Sequence, residues 1–176
     1  MQKRIALLTF TILTLTLFAA AQASPPASAS CDLGMGKTIK TDYSSPRLRG
    51  RKMVGGVDPY GQVWRNGANA ATTFVTSGDV VVGGTNVPAG SYTLFVFPTA
   101  DKWTLIINKK TTNAGKPIWG IPYTYENDEL GRIDMKMSKP PSPVENFTIA
   151  YDKTPTGCTL REEWDTTRAT VEISAK

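Results

Sequence analysis

Beyond residue 70 the chain alternates apolar and polar side chains at period two. Over 132–138, Ile133, Met135 and Met137 face one way and Arg132, Asp134, Lys136 and Ser138 the other. Over 144–151 the set Phe147, Ile149 and Tyr151 shares a face, and Ala169, Val171 and Ile173 alternate with Arg168, Thr170 and Glu172. Such strands bury one face and wet the other, as antiparallel sheets do. Residues 91–97 and 103–107 differ in being apolar on both faces, and Pro98-Thr99-Ala100-Asp101 between them is turn-like. That predicts a hairpin covered on both sides. Residues 72–76 and 80–82 are joined by the tight Ser77-Gly78-Asp79, and Gly83-Gly84 and Pro88-Ala89-Gly90 punctuate the approach to the hairpin. No stretch of a dozen residues carries a 3.6-residue period. The expectation is an all-β domain, an antiparallel β-sandwich or jelly roll of about eight to ten strands.

The N-terminus has another pattern. Lys3 and Arg4 precede an uncharged apolar run over 5–20 and the cleavage-type Ala21-Gln22-Ala23. Residues 1–23 therefore read as a secretory signal peptide, removed on export to a periplasmic or extracellular setting with no stable membrane insertion afterwards. The small-residue stretch 24–35 is expected to be flexible, and 36–176 to form the sandwich. Cys31 stands well past the apolar core with Ser28 three positions before it, which does not suit lipid attachment. In an oxidising compartment Cys31 and Cys158 are expected to form one disulfide. It would close a loop of about 127 residues, worth on the order of 4–5 kcal/mol in the chain-entropy model.

Charge adds little: +5 over the whole chain gives no nucleic-acid footprint. Histidine matters more, because there is none. Its absence removes Ser-His-Asp and Cys-His catalysis and every His-ligated zinc, copper or iron site. Two cysteines are too few for a zinc site, and no nucleophile elbow, P-loop or dinucleotide fingerprint occurs. No cofactor is expected.

The densest chemistry lies over 45–74, which holds five Gly, two Pro, four Arg, two Asn, a Tyr and a Trp. Arg47, Arg49 and Arg51 would share one face of an extended segment, and with Arg65 could grip a carboxylate, phosphate or sulfate. Alternatively they form a solvated face, or Arg65 pairs with a structural carboxylate such as Asp58. Asn66-Gly67-Ala68-Asn69, with Trp64 and Tyr60 alongside, could stack on and hydrogen-bond a small polar molecule. The competing reading is a loop whose Asn side chains cap backbone groups and whose Trp64 packs in the core. Glu126, Asp128 and Glu129 beside Tyr123 and Tyr125 could supply oxygen ligands for Ca²⁺ or simply be solvated. Trp103, Trp119 and Trp164 could line a carbohydrate platform or belong to the core.

The chain carries D-Y-S-S-P-R at 42–47, G-R-K at 50–52, P-Y-G-Q-V-W-R-N-G-A-N-A-A-T-T-F at 59–74 and P-A-G-S-Y-T-L-F at 88–95. The series continues through W-T-L-I-I-N-K at 103–109, W-G at 119–120 and V-E-N-F-T at 144–148. In these motifs it resembles the secreted bacterial domain of unknown function family 2911. In relatives the position of Ala70 can be glutamate, so a mechanism using that carboxylate does not carry over. The resemblance implies an exported β-rich domain and supplies no activity or catalytic residue. The functional expectation is a non-catalytic exported domain binding a small polar or anionic ligand, or an envelope partner, through Arg47, Arg51, Tyr60, Trp64, Arg65, Asn66 and Asn69. The alternatives are a carboxylate-dependent hydrolase of glycans or phosphoesters, using Asp58 and Glu129, and a purely structural envelope protein.

Overall fold

The computed structural model describes residues 24–53, 60–119 and 123–176, so the expected signal peptide and Asp58 lie outside the described residues. In chain order the strands begin with β1 (Pro26–Gly34), β2 (Lys37–Ser44), β3 (Thr72–Thr76), β4 (Val80–Val82) and β5 (Thr85–Val87). The long β6 (Gly90–Pro98) and β7 (Trp103–Asn108) follow, then the short β8 (Thr112–Asn113) and β9 (Lys116–Pro117). The rest are β10 (Glu129–Asp134), β11 (Lys136–Ser138), β12 (Val144–Thr154), β13 (Gly157–Asp165) and β14 (Thr167–Ala175). The all-β, antiparallel reading holds. The described residues contain fourteen strands, more than expected, because β5, β8, β9 and β11 are only two or three residues long.

The larger strands form two sheets. One runs β1-β2-β3-β6-β7-β10, and the other β12-β13-β14-β4-β5, with β11 also paired to β14. Their facing surfaces enclose one apolar core. Ile39, Phe74, Leu94, Val96, Trp103, Leu105 and Ile107 come from the first sheet, and Phe147, Ile149, Leu160, Trp164, Val171 and Ile173 from the second. As expected, β6 and β7 form a hairpin covered on both sides. Their outward Phe95 and Ile106 lie beneath Ala71 and Ile118, with Val63, Tyr123 and Tyr125 packed around them.

Three expectations need correction. Residues 24–35 are not a flexible lead-in: β1 pairs with β2 from Pro26↔Ser44 to Gly34↔Lys37, with Cys31 and Leu33 buried. Strand pairing supplies the backbone bonds that a stretch of small residues needs to stay extended. The single strand expected over 132–138 is two, because the chain leaves the first sheet at Asp134 and joins the second at Lys136. The break is pinned where the Met135 amide donates to the Trp103 carbonyl at 2.9 Å. Likewise Ser77-Gly78-Asp79 carries the chain between sheets, since β3 pairs in the first and β4 in the second. The disulfide forms as expected. Cys31 on β1 is bonded to Cys158 on β13, with Cα atoms 6.7 Å apart, so it staples an edge of one sheet to the other.

Candidate functional site

The dense block is first a piece of fold construction. Residues 45–48 run beside the start of β12: Ser45 Oγ donates to the Phe147 carbonyl (2.7 Å), and the Phe147 and Leu48 amides donate to the Pro46 and Glu145 carbonyls. This extended run buries Leu48 and exposes Arg47 and Arg49, as period two requires. The chain then turns through Arg49 and Gly50, both at positive φ, and Arg51 folds back on it. Arg51 Nε donates to the Leu48 carbonyl (2.9 Å) and Nη2 to the Arg47 carbonyl (3.0 Å), so one edge of its fork braces the turn.

The next segment goes inward. Trp64 pairs with Val96 on β6 and is only 7% exposed. Its indole stacks on Trp164 at 5.5 Å between centroids, meets Phe147 and Trp103 edgewise, and donates to the Gly67 carbonyl at 3.0 Å. Asn66, at φ 53°, is fully buried, and its Nδ2 donates to Glu162 Oε1 on β13 at 2.6 Å. Gly67 must be glycine: at φ 157°, a Cβ there would sit 3.0 Å from the Ser44 carbonyl oxygen. Arg65 Nη1 donates to the Asn69 carbonyl (3.1 Å), and Asn69 Nδ2 to Ser44 Oγ (3.2 Å). Of the seven residues singled out, Trp64 and Asn66 face the interior, Arg51 and Arg65 bind their own segment's carbonyls, and Arg47, Tyr60 and Asn69 reach the surface. They do not converge on one cleft.

The acids of the alternative reading are also engaged. Glu129 accepts from Tyr123 (2.9 Å) and from both Nε and Nη2 of Arg132 (2.8 Å each). The Arg132 fork holds its carboxyl below the usual range, while burial drives the Tyr123 phenol up. Glu126 and Asp128 form a short 3-10 turn beside it. Among the described residues no three acidic or cysteine side chains gather as a metal site. Trp103 and Trp164 are core; Trp119 is 64% exposed.

What the structure does assemble is a polar row across the outer face of the first sheet. Register places Ser28 opposite Asp42, Asp42 opposite Thr73, Thr73 opposite Thr93, Thr93 opposite Asn108 and Asn108 opposite Glu129. One polar side chain per strand therefore lines up over six strands. Half of the row is closed. Thr93 donates to the Lys110 carbonyl, and Asn108 Nδ2 donates to Tyr123 Oη and the Tyr125 carbonyl, all beneath the segment leading to β10. The other half opens into a groove of about 260 Å³ whose polar lining is Asp42, Ser44, Thr73, Thr93 and Thr111. Ala70, Ala71 and Ile118 form an apolar wall, tied by the Ala71 amide to the Ile118 carbonyl (2.8 Å). Trp119, paired with Ala70, is exposed. Asp42 is ion-paired to Lys40 at 2.8 Å, which holds its carboxyl below the usual range against a weaker effect of burial.

Sequence reasoning missed this row. Its only signal is one polar residue on the outward side of each strand, and which of them become neighbours depends on register.

The family model described as Protein of unknown function (DUF2911) matches residues 24–173. No curated protein and no solved structure matches the chain. The two-sheet domain, with its W-R-N-G-A-N corner built into the core, belongs to the DUF2911 family.

Proposed function

We propose that this protein is an exported, non-catalytic binding domain whose ligand is a small neutral polyhydroxy molecule, a sugar or polyol, held in the groove at the open end of the polar row. The observation that carries the reading is the alignment of Asp42 and Thr73 on adjacent strands beside a groove of about 260 Å³, whose lining also includes the buried Thr93. A carboxylate accepts from two neighbouring hydroxyls at once, and threonine hydroxyls both donate and accept. An anionic ligand has less support. The groove carries a carboxylate and, among the described residues, no arginine lines it, while Arg51 and Arg65 each donate to backbone carbonyls of their own segment. For catalysis, the acid in the groove, Asp42, and the acid at the closed end of the row, Glu129, are each held by a cation. Export is supported by the disulfide, and no helix among the described residues is long and apolar enough to cross a membrane.

The test is a thermal-shift panel of neutral sugars, polyols, amino acids and anions, followed by calorimetry on any hit with the wild type and Asp42→Asn. A hydrogen bond to a charged group contributes about 1.5–3 kcal/mol, so the variant should bind roughly 10- to 100-fold more weakly. Its unliganded melting temperature should not move, because the Lys40–Asp42 pair is about half exposed and such pairs contribute at most about 1 kcal/mol. A panel that responds only to anions, or not at all, counts against the reading. So does a sugar bound equally well by Asp42→Asn.

A further inference from the structure

Glu162 lies on the inward face of β13, between Leu160 and Trp164 along the strand and opposite Ile149 of β12 and Ala169 of β14. It is completely buried in the apolar space between the sheets. Its Oε1 accepts from Asn66 Nδ2, which leaves one further oxygen on each planar group, Glu162 Oε2 and Asn66 Oδ1. Both are buried and neither has a partner. Among the described residues, two other polar groups facing this space are committed elsewhere. Tyr43 of β2 accepts from the Ile149 amide (3.0 Å) and donates to the Ile149 carbonyl, and Tyr151 of β12 shares a 2.6 Å hydrogen bond with Thr41 of β2.

Two acceptors left unpartnered in an apolar interior would be costly, and more so if one were charged. One proton removes both defects. We infer that Glu162 is held as the neutral acid and forms a cyclic pair with Asn66, Nδ2–H donating to Oε1 and the acid O–H donating to Oδ1, so that a single exchangeable proton latches the 64–69 loop to the second sheet. No covalent bond changes. The proton comes from solvent and returns to it when the acid ionises, leaving two acceptors opposed. Among the described residues the titratable groups facing Glu162 are the phenols of Tyr43 and Tyr151, both driven up by burial and both neutral across this range, so neither supplies a compensating charge.

The direction of the pH effect follows. Burial raises the Glu162 carboxyl from 4.5 to about 7, against a smaller opposing effect of the Asn66 bond. An unfolded chain ionises this group near its ordinary value, whereas the folded chain keeps the proton. The stability contribution is therefore complete below about pH 4, falls as pH rises toward about 7, and levels off above. The latch is present in acid and weakened in mild alkali. It does not depend on the ligand reading of the groove, on the opposite face of the first sheet.

The experiment compares the disulfide-intact protein with Glu162→Gln, which replaces the acid–amide pair by an amide–amide pair of the same shape. The wild type should melt at progressively lower temperature from about pH 5 to about pH 8, and the variant should lose that slope and melt above the wild type at the alkaline end. The exciton circular dichroism of the stacked Trp64–Trp164 pair should weaken with rising pH in the wild type only. An unchanged slope in the variant, or a variant less stable than the wild type at about pH 8, overturns the latch. Infrared spectroscopy of the wild type near pH 6, where ordinary carboxylates are ionised, decides the matter even if the variant does not fold. A protonated-carboxyl band is expected, and its absence refutes the proposal.

Discussion

Converting Cys31 and Cys158 together to alanine is expected to lower the folding free energy by about 4–5 kcal/mol, a drop in melting temperature on the order of 15 °C. The size comes from topology. The bond joins positions 127 residues apart, so it restrains nearly the whole unfolded chain, and the chain-entropy effect grows with the logarithm of loop length. Alanine is the right replacement because both sites are buried on the inner face, where serine would add an unpaired hydroxyl. The loss should also be uneven. Cys31 sits on β1, an edge strand of the first sheet, and the bond fastens that edge to β13 across the core. Amide exchange should therefore quicken first in β1, while β6 and β7 at the interior of the sheet keep their protection. If the double variant melts within two or three degrees of the wild type, the packing of Leu33, Ile39 and Ile149 already holds the edge without the crosslink.

Much of the fold was legible in the chain because alternation reports burial directly. Residues 91–97 and 103–107 read as covered on both faces, and they are, since the segments carrying Ala71, Ile118 and Tyr123 pack on the outside of the hairpin. The same signal explains where the reading went astray. Ile133, Met135 and Met137 keep one unbroken alternation while the chain passes from one sheet to the other. Both sheets turn their apolar faces to the same core, so switching sheets does not change the period. The N-terminal segment carried a fainter version: Ala27, Ala29, Cys31 and Leu33 alternate with Ser28, Ser30 and Asp32 in what became β1. Small side chains made that rhythm easy to take for a flexible tail.

The candidate site was less legible, for a different reason. Density of unusual residues over 45–74 marked a place where the fold needs special conformations. Asn66 and Asn69 adopt positive φ, and Gly67 lies against the Ser44 backbone. Such a corner and a ligand loop draw on the same residue types, because both need left-handed backbone and amides that bond locally. The polar row has no equivalent signal. Ser28, Asp42, Thr73, Thr93, Asn108 and Glu129 are ordinary outward residues until the register of five strand pairs sets them side by side.

Trp64→Ala separates the two meanings of the dense block. The indole is 7% exposed and stands among Trp103, Phe147 and Trp164, with its N–H on the Gly67 carbonyl. Emptying that volume should cost about 3–5 kcal/mol, because the three surrounding rings belong to both sheets and cannot collapse together without shifting strands. Trp64→Phe keeps most of the apolar contact and removes the N–H, leaving a buried carbonyl unpaired at a cost of about 1–3 kcal/mol. Urea denaturation of the ligand-free protein should therefore rank the wild type above Trp64→Phe and Trp64→Ala last. If instead Trp64 served as a stacking platform for a bound molecule, truncating it would leave the unliganded midpoint nearly where it was. The packing role predicts the opposite, because two sheets meet on this one ring and lose their common contact when it is removed.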